Sequence, residues 1–321
     1  MAGKFNNRTL IIVLLVLAGV FLVTRYFRLR TSESTLKDFQ VKLDTSKIDQ
    51  ISIYPKAEGQ QEIRFTRQGN QWTVQKGEII AEAEENNVKN IFAELLNIKA
   101  DQLVALKKEK WTEFHVDDSL GTRVVMNEGK RKRLDIMIGR FNYQPEPGGY
   151  PGGYGQNYGR GITYVRMSNA NKVYAVEGYL AMIFNQGFNN WRNQKLVSLT
   201  RNNITRITFD YPQDTGFVLV LQDSVWTMDS TKPDSASLAK YLNSLNRKTG
   251  TNFADDFTPV TAPDYQLTIE GNNMLALTVK AYSRTDNEYI LQSSLNPKSF
   301  FISKPDGLFR DLFKSRKEFI K

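Results

Sequence analysis

The sequence predicts an α+β fold: two tandem units of antiparallel strands, each with one amphipathic helix after a Trp-bearing strand and a short terminal helix, behind one N-terminal transmembrane helix. Three observations carry that expectation. One uncharged apolar run lies near the N-terminus, one order of elements occurs twice, and a Trp holds the same place in both occurrences. The chain has 321 residues, 40% hydrophobic and 24% charged. That is enough for two domains and too aromatic for a disordered chain.

Residues 10–23 read LIIVLLVLAGVFLV, without a charge. Extended to 9–27, the run would span roughly 28 Å as a helix, close to a bilayer's hydrocarbon core. A cleaved signal peptide needs small residues after its apolar run. Here Thr-Arg-Tyr-Phe-Arg-Leu-Arg follows instead, bulky and basic. The expectation is an uncleaved anchor over 1–30, then a polar stalk over 31–47. Lys4 and Arg8 on one side nearly balance Arg25, Arg28 and Arg30 on the other, so flanking charge does not set the orientation.

Unit 1 (48–200) opens on the alternating stretch Ile48, Ile51, Ile53, and unit 2 (201–321) on Ile204, Ile207, Phe209. Each continues through a Pro, at Pro55 or Pro212, into a second alternating run and then the strand bearing Trp72 or Trp226. The helices follow. Val88, Ile91, Phe92 and Leu95, and likewise Leu238, Tyr241, Leu242 and Leu245, fall at i, i+3, i+4 and i+7, which puts four apolar groups on one face. Asp234 or Ser235 is placed to cap the second helix, and Glu82, Glu84 and Glu85 read as first-turn acids of the first. Hairpins over 122–138 and 265–279 come next. Two further strand pairs follow, and a Gly, Gly178 or Gly307, then leads into a short terminal helix.

A membrane helix followed by tandem β-rich units with a strand-borne Trp resembles a bacterial domain-of-unknown-function family. Its members are single-pass envelope proteins often encoded beside ABC-type transporters of the gliding-motility kind. The resemblance covers roughly residues 9–321 and implies a periplasmic body on the bacterial inner (cytoplasmic) membrane. It brings no catalytic residues. The departure from the family is the insertion at 142–161.

Composition removes most catalytic kits. There is no Cys, so no disulfide, thiolate zinc site or cysteine nucleophile, and the one His, His115, cannot build a His-rich metal cage. His115 beside Asp117 and Asp118 reads as a turn. Of the net charge of +9, residues 1–30 carry +5, so the body lacks the footprint of a nucleic-acid binder. Ser237-Leu-Ala-Lys240, Ser244-Leu-Asn246 and Lys248-Thr-Gly250 spell the three signatures of penicillin-binding serine enzymes. They crowd onto one helix and its exit, where they cannot converge on one nucleophile. The expectation is therefore no catalytic residue, no cofactor and no metal.

The insertion at 142–161 holds 7 of the 21 Gly and 4 of the 14 Tyr. Either it is a plain hairpin extension, or Tyr143, Tyr150, Tyr154 and Tyr158 form a partner-contact loop, with large rings on an adaptable backbone. The function expected is a non-catalytic, membrane-anchored accessory or scaffold subunit of a membrane complex, for which the resemblance implies an ABC-type transporter. The alternative is a module that binds an envelope glycan or peptide through the Tyr-rich loop.

Overall fold

The structure is a computed structural model that describes residues 11–23, 25, 39, 41–144, 159–212, 215–285 and 287–320. It is a mixed α+β protein dominated by antiparallel sheets, with few helices. Helix α1 covers 11–23. Among the described residues no helix is long and apolar enough to cross a membrane. Of the expected 9–27 span, residues 9, 10, 24, 26 and 27 lie outside the described residues, as do 31–38 and 40 of the expected stalk.

Contacts group the chain into two compact units, Met1–Arg64 with Lys89–Gln186, and Phe65–Val88 with Gly187–Lys321. This division differs from the sequence boundary at residue 200, because 65–88 groups with the C-terminal half. Strand β1 (Gln50–Tyr54) lies in the first unit, and β2 (Ile63–Gln68) crosses the boundary. Strands β3 (Gln71–Lys76) and β4 (Ile79–Glu82) lie in the second unit, and helix α2 (Glu85–Leu96) crosses back. The helix buries Val88, Ile91 and Leu95, and Phe92 is half-buried on the same face. Glu85 is its first-turn acid, whereas Glu82 belongs to β4. The expected acidic first turn is thus shorter, because β4 takes residues up to Glu82.

The first unit goes on through β5 (Ala100–Ala105), β6 (Thr122–Glu128), β7 (Arg131–Gln144), β8 (Arg160–Met167), β9 (Val173–Glu177) and helix α3 (Leu180–Phe184). Its strands lie side by side in the order β1-β6-β7-β8-β9-β5, every neighbour antiparallel. Both faces of these strands are covered: Ile51, Ser52 and Ile53 of β1 and Val124, Val125 and Met126 of β6 are all buried. Packing begins inside the expected stalk, where Phe39 and Val41 are buried and the Phe39 ring lies 4.6 Å from that of Tyr174. Gly139 is needed for close approach, since a Cβ there would stand 2.2 Å from the Phe114 carbonyl oxygen.

The second unit adds β10 (Lys195–Ser198), β11 (Ile204–Asp210), β12 (Phe217–Gln222), β13 (Val225–Met228), helix α4 (Ser235–Ser244), β14 (Arg247–Thr249), β15 (Tyr265–Gly271), β16 (Leu277–Thr285), β17 (Glu288–Ser293), β18 (Asn296–Ser303) and helix α5 (Arg310–Leu312). Strands β4-β3-β2 are neighbours, β10 pairs with β14, and a seven-stranded sheet runs β13-β12-β11-β15-β16-β17-β18. Asp234 caps α4 by accepting the Ser237 N–H at 2.9 Å. The helix then buries Leu238, Tyr241 and Leu242 on that sheet, and Leu245 just beyond it. Each such side chain contributes roughly 1.5–3 kcal/mol. The C-terminal segment docks on its own unit: Tyr241 donates its hydroxyl to the Leu312 carbonyl at 2.8 Å, and Phe309 stacks on Tyr289 at 3.6 Å.

The two Trp strands share local bonding. Thr73 Oγ1 donates to Thr66 O at 3.3 Å, and Thr227 Oγ1 to Val220 O at 3.5 Å. Their burial differs, because Trp72 is 9% exposed while Trp226 is only half-buried. The equal burial that the repeated pattern suggests therefore does not hold.

Candidate functional site

The Gly/Tyr insertion grows from the β7–β8 hairpin, which stays paired as far as Gln144 and Arg160. Tyr143 stands opposite Gly161, and its hydroxyl accepts the Gly159 N–H at 2.8 Å. Phe141 stacks on Tyr179 with ring centroids 5.3 Å apart. A Cβ on Gly161 would approach those two rings to 2.8 and 3.0 Å, so glycine lets the pair lie over the strand. Tyr143 and Tyr179 are 49% and 48% exposed. The hairpin base is thus an aromatic surface with polar ring edges, suited to stacking and hydrogen bonding. Tyr143 is the one expected contact residue seen there; Tyr150, Tyr154 and Tyr158 lie outside the described residues. Tyr179 and Phe141 escaped the sequence reading, although the Gly178-Tyr179 dipeptide leading into α3 was a usable signal.

Elsewhere in the first unit, charged groups are committed to internal bonds. Asp135 accepts from Arg123 at 2.8 and 2.7 Å, from Lys132 at 2.7 Å and from Ser168 at 2.5 Å. Burial alone would raise its pKa, but these donors win and hold the carboxyl well below the usual range. Arg166 is buried, with its guanidinium 3.6 Å from the Trp111 ring centroid and Nε donating to Val116 O at 3.1 Å. His115 sits in a turn at φ +54°. Asp117 closes the next turn by accepting from the Ser119 and Leu120 N–H groups at 2.9 and 3.0 Å. Among the described residues, no group of three or more His, Cys, Asp or Glu could hold a metal ion.

In the second unit the three serine-enzyme signatures are drawn into separate structural bonds. Ser237 lies in the capped first turn of α4, the Ser244 hydroxyl donates to Tyr241 O at 2.7 Å, and Lys248 pairs with Asp311 at 2.6 Å. Another charged centre was not foreseen. Arg192 is 2% exposed, its guanidinium 3.5 Å from the Phe253 ring centroid, and it forms a two-pronged pair with Asp255 at 2.8 and 2.6 Å. Nearby, Asn296 donates to Asn193 O at 2.6 Å. A Trp-Arg-Asn run between apolar stretches is the only hint that the sequence offers of this centre.

Comparison with curated proteins finds no match, and neither does comparison with solved structures. A family described as a domain of unknown function, DUF4340, matches residues 76–268, which span the loop, the buried Arg192 and the second Trp strand. That match covers more than half of the sequence, and the chain belongs to the DUF4340 family.

Proposed function

We propose that the protein is a non-catalytic, membrane-anchored accessory or scaffold subunit of a membrane complex. Its body would lie on the periplasmic side of the bacterial inner membrane, held by one N-terminal helix. The observation that carries the anchor is the exposure of α1. Its eleven large apolar residues, Ile11 through Val23, are each 50–67% exposed. Burying such side chains contributes roughly 1.5–3 kcal/mol each. In sum that exceeds a typical domain's whole stability of about 5–15 kcal/mol, so water is a poor solvent for this helix. A helix apolar on every side belongs in a core or a bilayer.

The identity of the complex, an ABC-type transporter of the gliding-motility kind, rests on the family resemblance described above. Two tandem copies of one unit are part of the same reading. They are supported by the matching order of β1-β6-β7-β8-β9 and β11-β15-β16-β17-β18 and by the equivalent threonine bonds beside Trp72 and Trp226. The second reading, a module that binds an envelope polymer, is favoured by the exposed rings of Tyr143 and Tyr179.

Alkaline carbonate extraction tests the anchor: the full chain should stay in the membrane pellet and a chain lacking 1–30 should not. A reporter active only outside the cytoplasm, fused after Lys321, should be active. Purification in mild detergent should bring down transporter subunits in fixed stoichiometry. A soluble full chain overturns the anchor, and a retained glycan without protein partners favours the second reading.

A further inference from the structure

Strand register in the first unit gathers four chain segments at one end of its sheet. Gln50 stands opposite Asn127, Met126 opposite Leu134, Ile136 opposite Met167, Val165 opposite Tyr174 and Val173 opposite Ala105. The segment entering β1, the β6–β7 turn, the β8–β9 turn and the segment leaving β5 therefore lie in one row. Six strands spaced about 4.8 Å apart make that row about 24 Å wide.

Cations crowd this end. The β6–β7 turn reads Gly-Lys-Arg-Lys-Arg over 129–133, and all four of its cations are exposed. Lys42, ahead of β1, is exposed and lines one cleft with Lys132. Just past β5, Leu106 is 60% exposed and the exposed Lys107 and Lys108 follow it. Lys132 shares Asp135 with Arg123, and Arg133 pairs with Glu128. Lys42, Lys107, Lys130 and Arg131 have no hydrogen bond or ion pair among the described residues. The acids nearby are mostly committed: Asp49 accepts the Gly129 N–H at 2.8 Å, Asp44 pairs with Lys47 and Glu113 with Lys110. That leaves Glu109 against four uncompensated cations. The opposite end is mixed, with Lys56 and Lys99 exposed among Asp101, Asp118 and Glu177.

We propose that this end of the first unit rests on an anionic phospholipid surface, with its free cations against lipid phosphates and Leu106 inserted among the headgroups. The path of the chain selects that occupant. Val41 lines the same cleft as Lys132, and residues 24–40 join it to α1 with a reach of at most about 65 Å. The bilayer that holds α1 is thus the surface this face meets at an effective concentration near the millimolar range. The inference rests on the anchor reading above and goes beyond it by orienting the body. The Tyr143 hairpin base, at the far end of β7, then points away from the bilayer.

The test places the full chain in nanodiscs of phosphatidylcholine, alone or with about 30 mol% phosphatidylglycerol, and reads lysine acetylation by mass spectrometry. Acetylation of Lys107, Lys108, Lys130 and Lys132, relative to Lys56 and Lys99, should fall about fivefold on the anionic discs, the factor by which such a surface favours one nearby cation. It should recover in about 0.5 M NaCl, where exposed charges are screened. The Lys130→Glu/Arg131→Glu variant should lose the protection of Lys107 and Lys108 while its thermal melt stays unchanged, because neither side chain has a partner to lose. Millimolar inorganic phosphate should leave acetylation on the neutral discs unchanged. The proposal is overturned if a chain that co-elutes with the discs is acetylated alike on both lipids, or if Lys56 and Lys99 are protected equally. It is also overturned if the variant protects Lys107 and Lys108 as the reference does, or if phosphate alone protects them, which would show a small-anion site. A chain that does not co-elute with neutral discs overturns the anchor and this proposal with it.

Discussion

Truncating each strand-borne Trp to Ala should separate two positions that the sequence alone makes equal. A Trp side chain buries about 150–250 Å². At about 25 cal/mol per Å², complete burial is worth about 4–6 kcal/mol. Trp72 is 9% exposed, so Trp72→Ala should cost about 3–5 kcal/mol, the range of large-to-small core changes. Trp226 is half-buried, so Trp226→Ala should cost about half as much, about 2 kcal/mol. Both residues lie in the second compact unit. Hydrogen exchange over 187–321, followed by mass spectrometry on the full chain in detergent, therefore reads both variants against one reference. A difference of about 2 kcal/mol corresponds to roughly thirtyfold in the opening equilibrium. Equal losses, or a larger loss at Trp226, would refute the unequal burial.

Three further outcomes are expected. Asp255→Asn should destabilise more than Arg192→Met in urea titrations, by about 3–5 against about 1–2 kcal/mol, because the first strands a guanidinium 3% exposed while the second leaves a carboxylate 33% exposed to water; the reverse order would sink the account of that centre. The folded-state pKa of Asp135 is depressed, so its contribution is complete above the usual Asp value near 4 and is lost as pH falls toward the folded value. Asp135→Asn should cost about 1.5–3 kcal/mol at pH 7 and flatten the stability–pH curve below about pH 4; a curve as steep as the reference counts against the network. Replacing 145–158 with Asn-Gly should leave the melting temperature within about 2 °C, since a shorter loop costs less to close and β7 and β8 stay paired up to Gln144 and Arg160; a large loss of stability would show that the insertion belongs to the core.

What the sequence revealed was set by local periodicity. The helix faces at Val88, Ile91 and Leu95 and at Leu238, Tyr241 and Leu242 repeat at helical spacing, and burial follows it. The alternation of Ile207 and Phe209 likewise matches a strand packed on one side, and a register shift between Ile204 and Arg206 lets Ile204 join the same core. Strand β4 stayed hidden because Ile79 and Ile80 are both exposed and only Ala81 is buried, so two-residue alternation never develops. Arg192 was illegible for another reason. Its carboxylate partner lies 63 residues away, and only tertiary packing brings Asp255 to it. The Trp equivalence misled about burial because a matching position carries no information about what covers it. In one case the four-residue strand β4 follows and pairs, and in the other a turn of two left-handed residues returns only Thr231, bridged to Met228, before α4 begins.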